Sequence, residues 1–200
     1  MVFIVIEGFS GTGKTSLAKG LEERGWLRLA ESAHVVPREV PVADRADTYA
    51  DYSLVGATMQ YSSIIANNRD RRDIVSEGYL LGDLAYARIR YDLGKSDAFP
   101  VLLTLVKRIL SDKRMQPDLY ILLKARTETI NHRQVAKDER ERNLTEYFQN
   151  RYYSAITEIH ERLEQDRVEV VPSDSDASET LGEILRILKR KGLVEERLRQ

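Results

Sequence analysis

The chain has 200 residues, 42% of them hydrophobic, which suits one α/β domain over residues 1–200 with a sizeable core. Its 31 basic and 32 acidic residues leave a formal net charge of −1, so no global field draws it to nucleic acid or an anionic membrane, and neither partner is expected. The absence of cysteine excludes disulfides, thiolate metal sites and cysteine nucleophiles, and fits a soluble, cytoplasmic protein.

In chain order, Val2-Phe3-Ile4-Val5-Ile6 predicts a first strand and is too short for a signal peptide or a membrane span. Glu7-Gly8-Phe9-Ser10-Gly11-Thr12-Gly13-Lys14-Thr15 follows, and within it Gly8-x4-Gly13-Lys14-Thr15 meets every position of a Walker A phosphate-binding loop. Leu17 and Leu21 lie one helical turn apart after it, so strand, loop and helix come in the order such a loop needs. The glycines let successive N–H groups converge on an anion, Lys14 adds a point charge for phosphoryl transfer, and the Thr15 hydroxyl suits Mg²⁺. Gly8, Ser10, Gly11, Thr12, Gly13, Lys14, Thr15 and Ser16 are therefore the expected ATP contacts, with ATP and Mg²⁺ as cofactors.

Gly25 ends the first helix, and residues 26–30 read as a second strand with Glu31 at its C-terminal end, where polar residues of α/β sheets face the ligand crevice. Residues 32–45 carry Pro37 and Pro41 without periodicity and read as a loop. Two helices are predicted over 48–56 and 58–69. Residues 73–76 form a third strand ending at Glu77-Gly78, followed by a helix over 79–93 closed by Gly94. A further helix is predicted over 101–113, and Pro117-Asp118 opens a fourth strand at 119–123. A helix over 127–135, a charged run over 137–142, a long helix over 144–163, a strand over 168–171 and a last helix after the turn at 172–176 complete the pattern. This alternation predicts a five-stranded parallel sheet with helices on both faces.

From these residues the chain resembles the thymidylate kinase and deoxynucleoside kinase group of P-loop kinases over nearly its whole length. Val5-Ile6-Glu7-Gly8 is similar to the group's opening, Glu77-Gly78-Tyr79-Leu80-Leu81-Gly82-Asp83-Leu84-Ala85-Tyr86 to the thymidylate kinase segment D-R-Y-x-x-S-x-L-A-Y, and Pro117-Asp118-Leu119 to the start of its fourth strand. The resemblance implies the P-loop NTPase fold with strand order 2-3-1-4-5 and a short lid at about 136–144. It also implies transfer of the ATP γ-phosphoryl group to a nucleoside monophosphate, and a possible homodimer through the helices carrying Tyr86 and Tyr152. Arg140 and Arg142 then fall where the group has its arginine-bearing lid, with Arg133 one turn before it, as candidate catalytic arginines; the alternating charges of 138–142 equally suit a salt-bridged helical face.

The sequence departs from the thymidylate kinase pattern at Gly78, where the group has arginine, and at Ser10, where it has an acid. Two features point instead to the nucleoside kinase branch. Glu31 suits a general base for a neutral 5′-hydroxyl, whose proton must leave, or a ligand to substrate hydroxyls. Met59-Gln60-Tyr61 resembles that branch's base-reading segment, so Gln60 and Tyr61 become candidate base contacts, with Arg69 reaching a phosphate or the base. Glu77, at a strand end beside the loop, is a candidate substrate contact and, with Thr15, a candidate Mg²⁺ residue. A non-nucleotide acceptor, or a nucleotide switch in place of an enzyme, remains open at this stage. His34, His132 and His160 lack triad or metal-ligand spacing, and the basic residues near the C-terminus, from Arg186 to Arg199, suit a solvated helix end.

Overall fold

The computed structural model describes residues 1–42, 46–135, 146–163 and 167–194. Five strands form one parallel sheet in the order β2-β3-β1-β4-β5, as expected. They are β1 (Phe3–Gly8), β2 (Leu27–Leu29), β3 (Ile74–Glu77), β4 (Leu119–Lys124) and β5 (Val168–Pro172). β1 lies at the centre, with Ile4 beside Val75 and Leu119, and all six of its residues are buried. A strand covered on both faces reads as a continuous apolar run, which is why Phe3-Ile4-Val5-Ile6 shows no alternation.

Alternate side chains of β1 feed two cores. Ile4 and Ile6 pack with Leu17, Ala18 and Leu21 of α1 (Lys14–Glu22) and with Leu181, Ile184, Ile187 and Leu188 of α8 (Ala177–Arg190). Phe3 and Val5 enter the larger core on the other face. There the sheet meets α3 (Thr48–Asn68), α4 (Leu80–Asp92), α5 (Phe99–Leu110) and α7 (Glu146–Arg162). The short α2 (Ser32–Val35) follows β2, and α6 (Thr127–Val135) follows β4.

Three boundaries differ from the sequence expectation. Residues 48–68 form one helix, because Gly56 in its middle keeps helical geometry and packing sustains it. α2 interrupts the expected loop. α5 starts earlier, at Phe99 with Pro100 in its first turn, and ends at Leu110 before a separate 3₁₀ turn, Lys113–Met115.

The helices carrying Tyr86 and Tyr152 pack against each other within the chain. Phe9, Tyr86, Phe148 and Tyr152 form one aromatic cluster, with 4.9 Å between the Tyr86 and Tyr152 ring centres. These two tyrosines therefore face each other within one chain, and their spacing is that of a core contact. Among the described residues no helix is long and apolar enough to cross a membrane.

Candidate functional site: two cavities meeting at Lys14 and Glu31

The site lies at the C-terminal ends of the strands, where the loop after central β1 turns into α1. Gly8, Gly11 and Gly13 have φ of 155°, 93° and 100°, backbone that L side chains rarely adopt. Space adds to the demand at Gly8, where a Cβ would stand 2.6 Å from Thr12 Oγ1 and 3.0 Å from the Leu123 carbonyl. Thr12 N–H and Oγ1 both donate to the Phe9 carbonyl, which closes the loop on itself. Gln134 of α6 donates to the Ser10 carbonyl at 2.8 Å from outside.

Lys14 is buried beneath the loop. Its ammonium donates to the Gly8 carbonyl at 2.9 Å and lies 3.4 Å from Glu31 Oε1. Thr15 Oγ1 donates to Glu77 Oε2 at 2.6 Å, and Arg28 of β2 donates from Nε to the other Glu77 oxygen. Thr15 and Glu77 thus form a pair of hard oxygen donors, a set that fits Mg²⁺, which takes one or two protein oxygens together with phosphates and water. Arg28 compensates the charge of Glu77, which has no exposed surface.

Two cavities open from this loop. The donor-side cavity, about 440 Å³, is lined by Gly11, Gly13, Thr15 and Ser16 of the loop and by Arg133 and Asp176. Its size falls within the range usual for small-ligand sites, about 300–1,000 Å³. The acceptor-side cavity, about 60 Å³, is lined on its polar side by Glu7, Ser10, Glu77, Asp83 and Arg90, with Tyr86 and Tyr152 as aromatic walls. Lys14 and Glu31 line both. β2 brings Glu31 there by register: Leu29 pairs with Ser76, so the two strands end side by side and Glu31 faces the loop.

The acceptor side is rich in acids. Glu7, the last β1 residue before the loop glycine, accepts from the backbone N–H groups of Tyr79 and Gly82 at 2.9 and 3.2 Å, and Tyr152 Oη lies 3.4 Å from its other oxygen. Burial pushes its carboxyl up to about 8, against the pull of Lys14. Gly82 is required here, because a Cβ at that position would collide with the Glu7 carboxylate. Asp83 is also raised by burial, to about 6, although the Thr58 and Ser32 hydroxyls that donate to it work in the opposite direction. Arg90 is paired with Asp51 of α3, both of them 1% exposed.

The sequence-predicted residues separate into those the structure brings together and those it does not. The loop residues, Lys14, Thr15, Glu31 and Glu77 meet within one crevice. Arg133 lines the donor side, but its guanidinium is bound to the backbone carbonyls of Ser173 and Ser175 at 2.7 and 3.0 Å, so it braces the β5–α8 turn. Arg140 and Arg142 lie outside the described residues.

Three sequence-predicted residues on or just after α3 lie outside the two cavities. Gln60 is exposed and lines neither cavity: the inward face of α3 runs through Asp51, Leu54 and Thr58, and two residues beyond Thr58 the helix has turned about 200°. Tyr61 also lines neither cavity, since its hydroxyl donates to the Ala30 carbonyl at 2.8 Å. Arg69 sits at the opposite end of the sheet. There it donates to the Arg114 and Gln116 carbonyls and to Asp118, and it stacks on Phe3. The described part of the C-terminal basic patch is paired on the surface, Lys191 with Glu169 and Arg186 with Glu183.

Sequence reading missed Asp83, Arg90, Asp51 and Arg28. A signal for two of them was present: Asp83, Tyr86 and Arg90 stand at i, i+3 and i+7 of α4, one polar stripe facing the crevice.

With the geometry in hand, the architecture matches solved structures. The chain has the fold of P-loop nucleoside and nucleotide kinases. Thymidylate kinase from Candida albicans superposes with a TM-score of 0.74 at 17% identity, covering 96% of this chain and 92% of that one. Deoxyadenosine kinase from M. mycoides, with bound dATP, gives 0.71 at 17% identity over 94% of this chain and 100% of that one. The same enzyme with bound dCTP gives 0.65 at 17% identity over 94% and 99%. No protein-family model and no curated protein matches the sequence.

Proposed function

We propose that the protein is a single-domain kinase that transfers the γ-phosphoryl group of ATP to a neutral hydroxyl of a nucleoside-class acceptor, with Glu31 as general base. The observation that carries this reading is the position of Glu31, which lines both the donor-side and the acceptor-side cavities beside Lys14. The fold shared with deoxyadenosine and thymidylate kinases supports the acceptor class.

Charge favours a hydroxyl over a monophosphate. Among the described residues Glu31 and Asp83 bring negative charge to the acceptor side, with Glu77 compensated by Arg28 and Glu7 held protonated by burial, while its cations are Lys14, which serves the loop, and Arg90, which is tied to Asp51. A dianionic phosphate placed there would meet like charge. The thymidylate kinase match supports the alternative, a monophosphate acceptor, in which Arg140 and Arg142 would have to supply the clamp.

In the proposed reaction the loop N–H groups and Lys14 hold the β- and γ-phosphates. Thr15 and Glu77 would hold Mg²⁺, which supplies neutralisation of the phosphate charge. Glu31 takes the hydroxyl proton as the oxygen bonds to phosphorus, and ADP leaves. Lys14 must turn from Glu31 toward the phosphates, which frees the carboxylate when the donor is present. A nucleoside needs more room than the acceptor cavity offers, so Ala33, His34 and Val42 on the α2 side give way as it enters.

The test is Glu31→Gln assayed with Mg-ATP and matched pairs of nucleosides and their 5′-monophosphates. Turnover of a nucleoside by the unaltered protein, reduced about a hundredfold or more in the variant while ATP still binds, is expected. Diphosphate formed from a monophosphate at equal rates in both proteins would overturn the base and the hydroxyl acceptor together.

A further inference from the structure

Local structure alone does not hold Glu31 in place. It follows a strand of three residues and caps a helix of four, both too short to be rigid by themselves, and its side chain is 26% exposed. A base that must meet a hydroxyl needs its position fixed to about 0.5 Å.

The chain supplies that from elsewhere. The carbonyl of Ala30, just before Glu31, accepts from Tyr61 Oη at 2.8 Å. The hydroxyl of Ser32, just after it, donates to Asp83 Oδ1 at 2.9 Å. The second Asp83 oxygen accepts from Thr58 Oγ1 at 2.6 Å. Thr58 and Tyr61 are three residues apart, hence neighbours on one face of α3, and Asp83 comes from the first turn of α4. Two helices thus hold the residues on either side of one carboxylate, Ala30 by its carbonyl and Ser32 by its hydroxyl. Both Asp83 oxygens carry a hydroxyl, so its charge is spent on this grip. Its carboxyl, although pushed up to about 6 by burial, is mostly ionised at neutral pH, which makes both bonds charge-assisted.

We propose that Tyr61 and Asp83 are positioning residues that clamp the residues on the two sides of Glu31 and so hold the base in its transfer geometry. This rests on the reading of Glu31 as the base. The clamp acts through Ala30 and Ser32; Tyr61 lines neither cavity, whereas Ser32 and Asp83 also border the acceptor side, which makes Tyr61 the cleaner probe.

Tyr61→Phe and Ser32→Ala each remove one hydroxyl and leave the packing in place, which makes them suitable probes. Each is expected to lower kcat for nucleoside phosphorylation about tenfold with KM for ATP changed less than about twofold. In a Glu31→Gln background the same substitutions are expected to cost nothing further, because there is no base left to position. A full tenfold loss in that background would overturn the clamp while leaving the base intact. Normal turnover by Glu31→Gln would remove the base itself, and the clamp's role with it. A second readout needs no acceptor: amide hydrogen exchange at residues 32–36 is expected to run about tenfold faster in either variant, and unchanged exchange would overturn the proposal.

Discussion

The two sides of the crevice are built in different ways. The donor side is centred on consecutive residues: Gly11 to Leu17 line it from the loop and the start of α1, with φ set by glycine at Gly11 and Gly13, and Arg133 and the β5–α8 turn complete its wall. The acceptor side is made of residues from β1, β3, α2, α3, α4 and α7 together with Glu31 ahead of α2, and no two of Glu7, Glu31, Glu77, Asp83 and Arg90 are adjacent in sequence. In the proposed reading a phosphate grip is thus a local backbone shape, whereas acceptor choice is a tertiary arrangement of charges.

That contrast is sharpest at Lys14, among the described residues the one cation lining both sides. Lys14→Ala is expected to reduce phosphoryl transfer about a thousandfold, and to release Glu31 from its ion pair, as a kinetic assay together with ATP titration would show. A loss confined to ATP affinity would mean that the lysine belongs to the donor side alone.

Glu7 tests the acceptor side through pH. Its carboxyl is pushed up to about 8 by burial, so the folded state holds its proton where the unfolded chain has lost it. The stability this contributes is complete below the ordinary glutamate range and is lost as pH rises through about 8. Between about pH 6 and about pH 9 the loss should reach about 2–3 kcal/mol, and Glu7→Gln should abolish that part of the pH dependence. Denaturant melts across that range provide the measurement; a flat profile in the unaltered protein would show that Glu7 ionises freely.

The smallest effects belong to residues that the sequence pattern placed in the site and the fold did not. Arg69→Ala is expected to cost about 1–2 kcal/mol of stability, through its bonds to Asp118 and two carbonyls, with transfer kinetics unchanged. Gln60→Ala should change neither stability nor kinetics measurably. A loss of acceptor affinity in either variant would place α3 differently against the substrate.

Gln60, Tyr61 and Arg69 stand away from the two cavities for one reason: residue type suggests a contact, but which face of a helix looks into a crevice depends on the phase set by packing. That phase follows Asp51, Leu54, Thr58 and Ile65. Glu31 and Glu77 were legible because a residue just past a parallel strand falls at the crevice whatever the rest of the chain does. Asp51 and Arg90 gave no comparable signal, since two charges 39 residues apart name each other only once α3 and α4 lie side by side.

The sequence by itself determined the phosphate loop, the five strands and their parallel assembly. These follow from local backbone preference and from apolar runs long enough to be buried on both faces. Only the tertiary structure decided which acids crowd the acceptor side, that Arg28 compensates Glu77, and that Tyr61 and Asp83 brace Glu31. Such relations depend on distances between elements far apart in the chain, and those distances are fixed by packing.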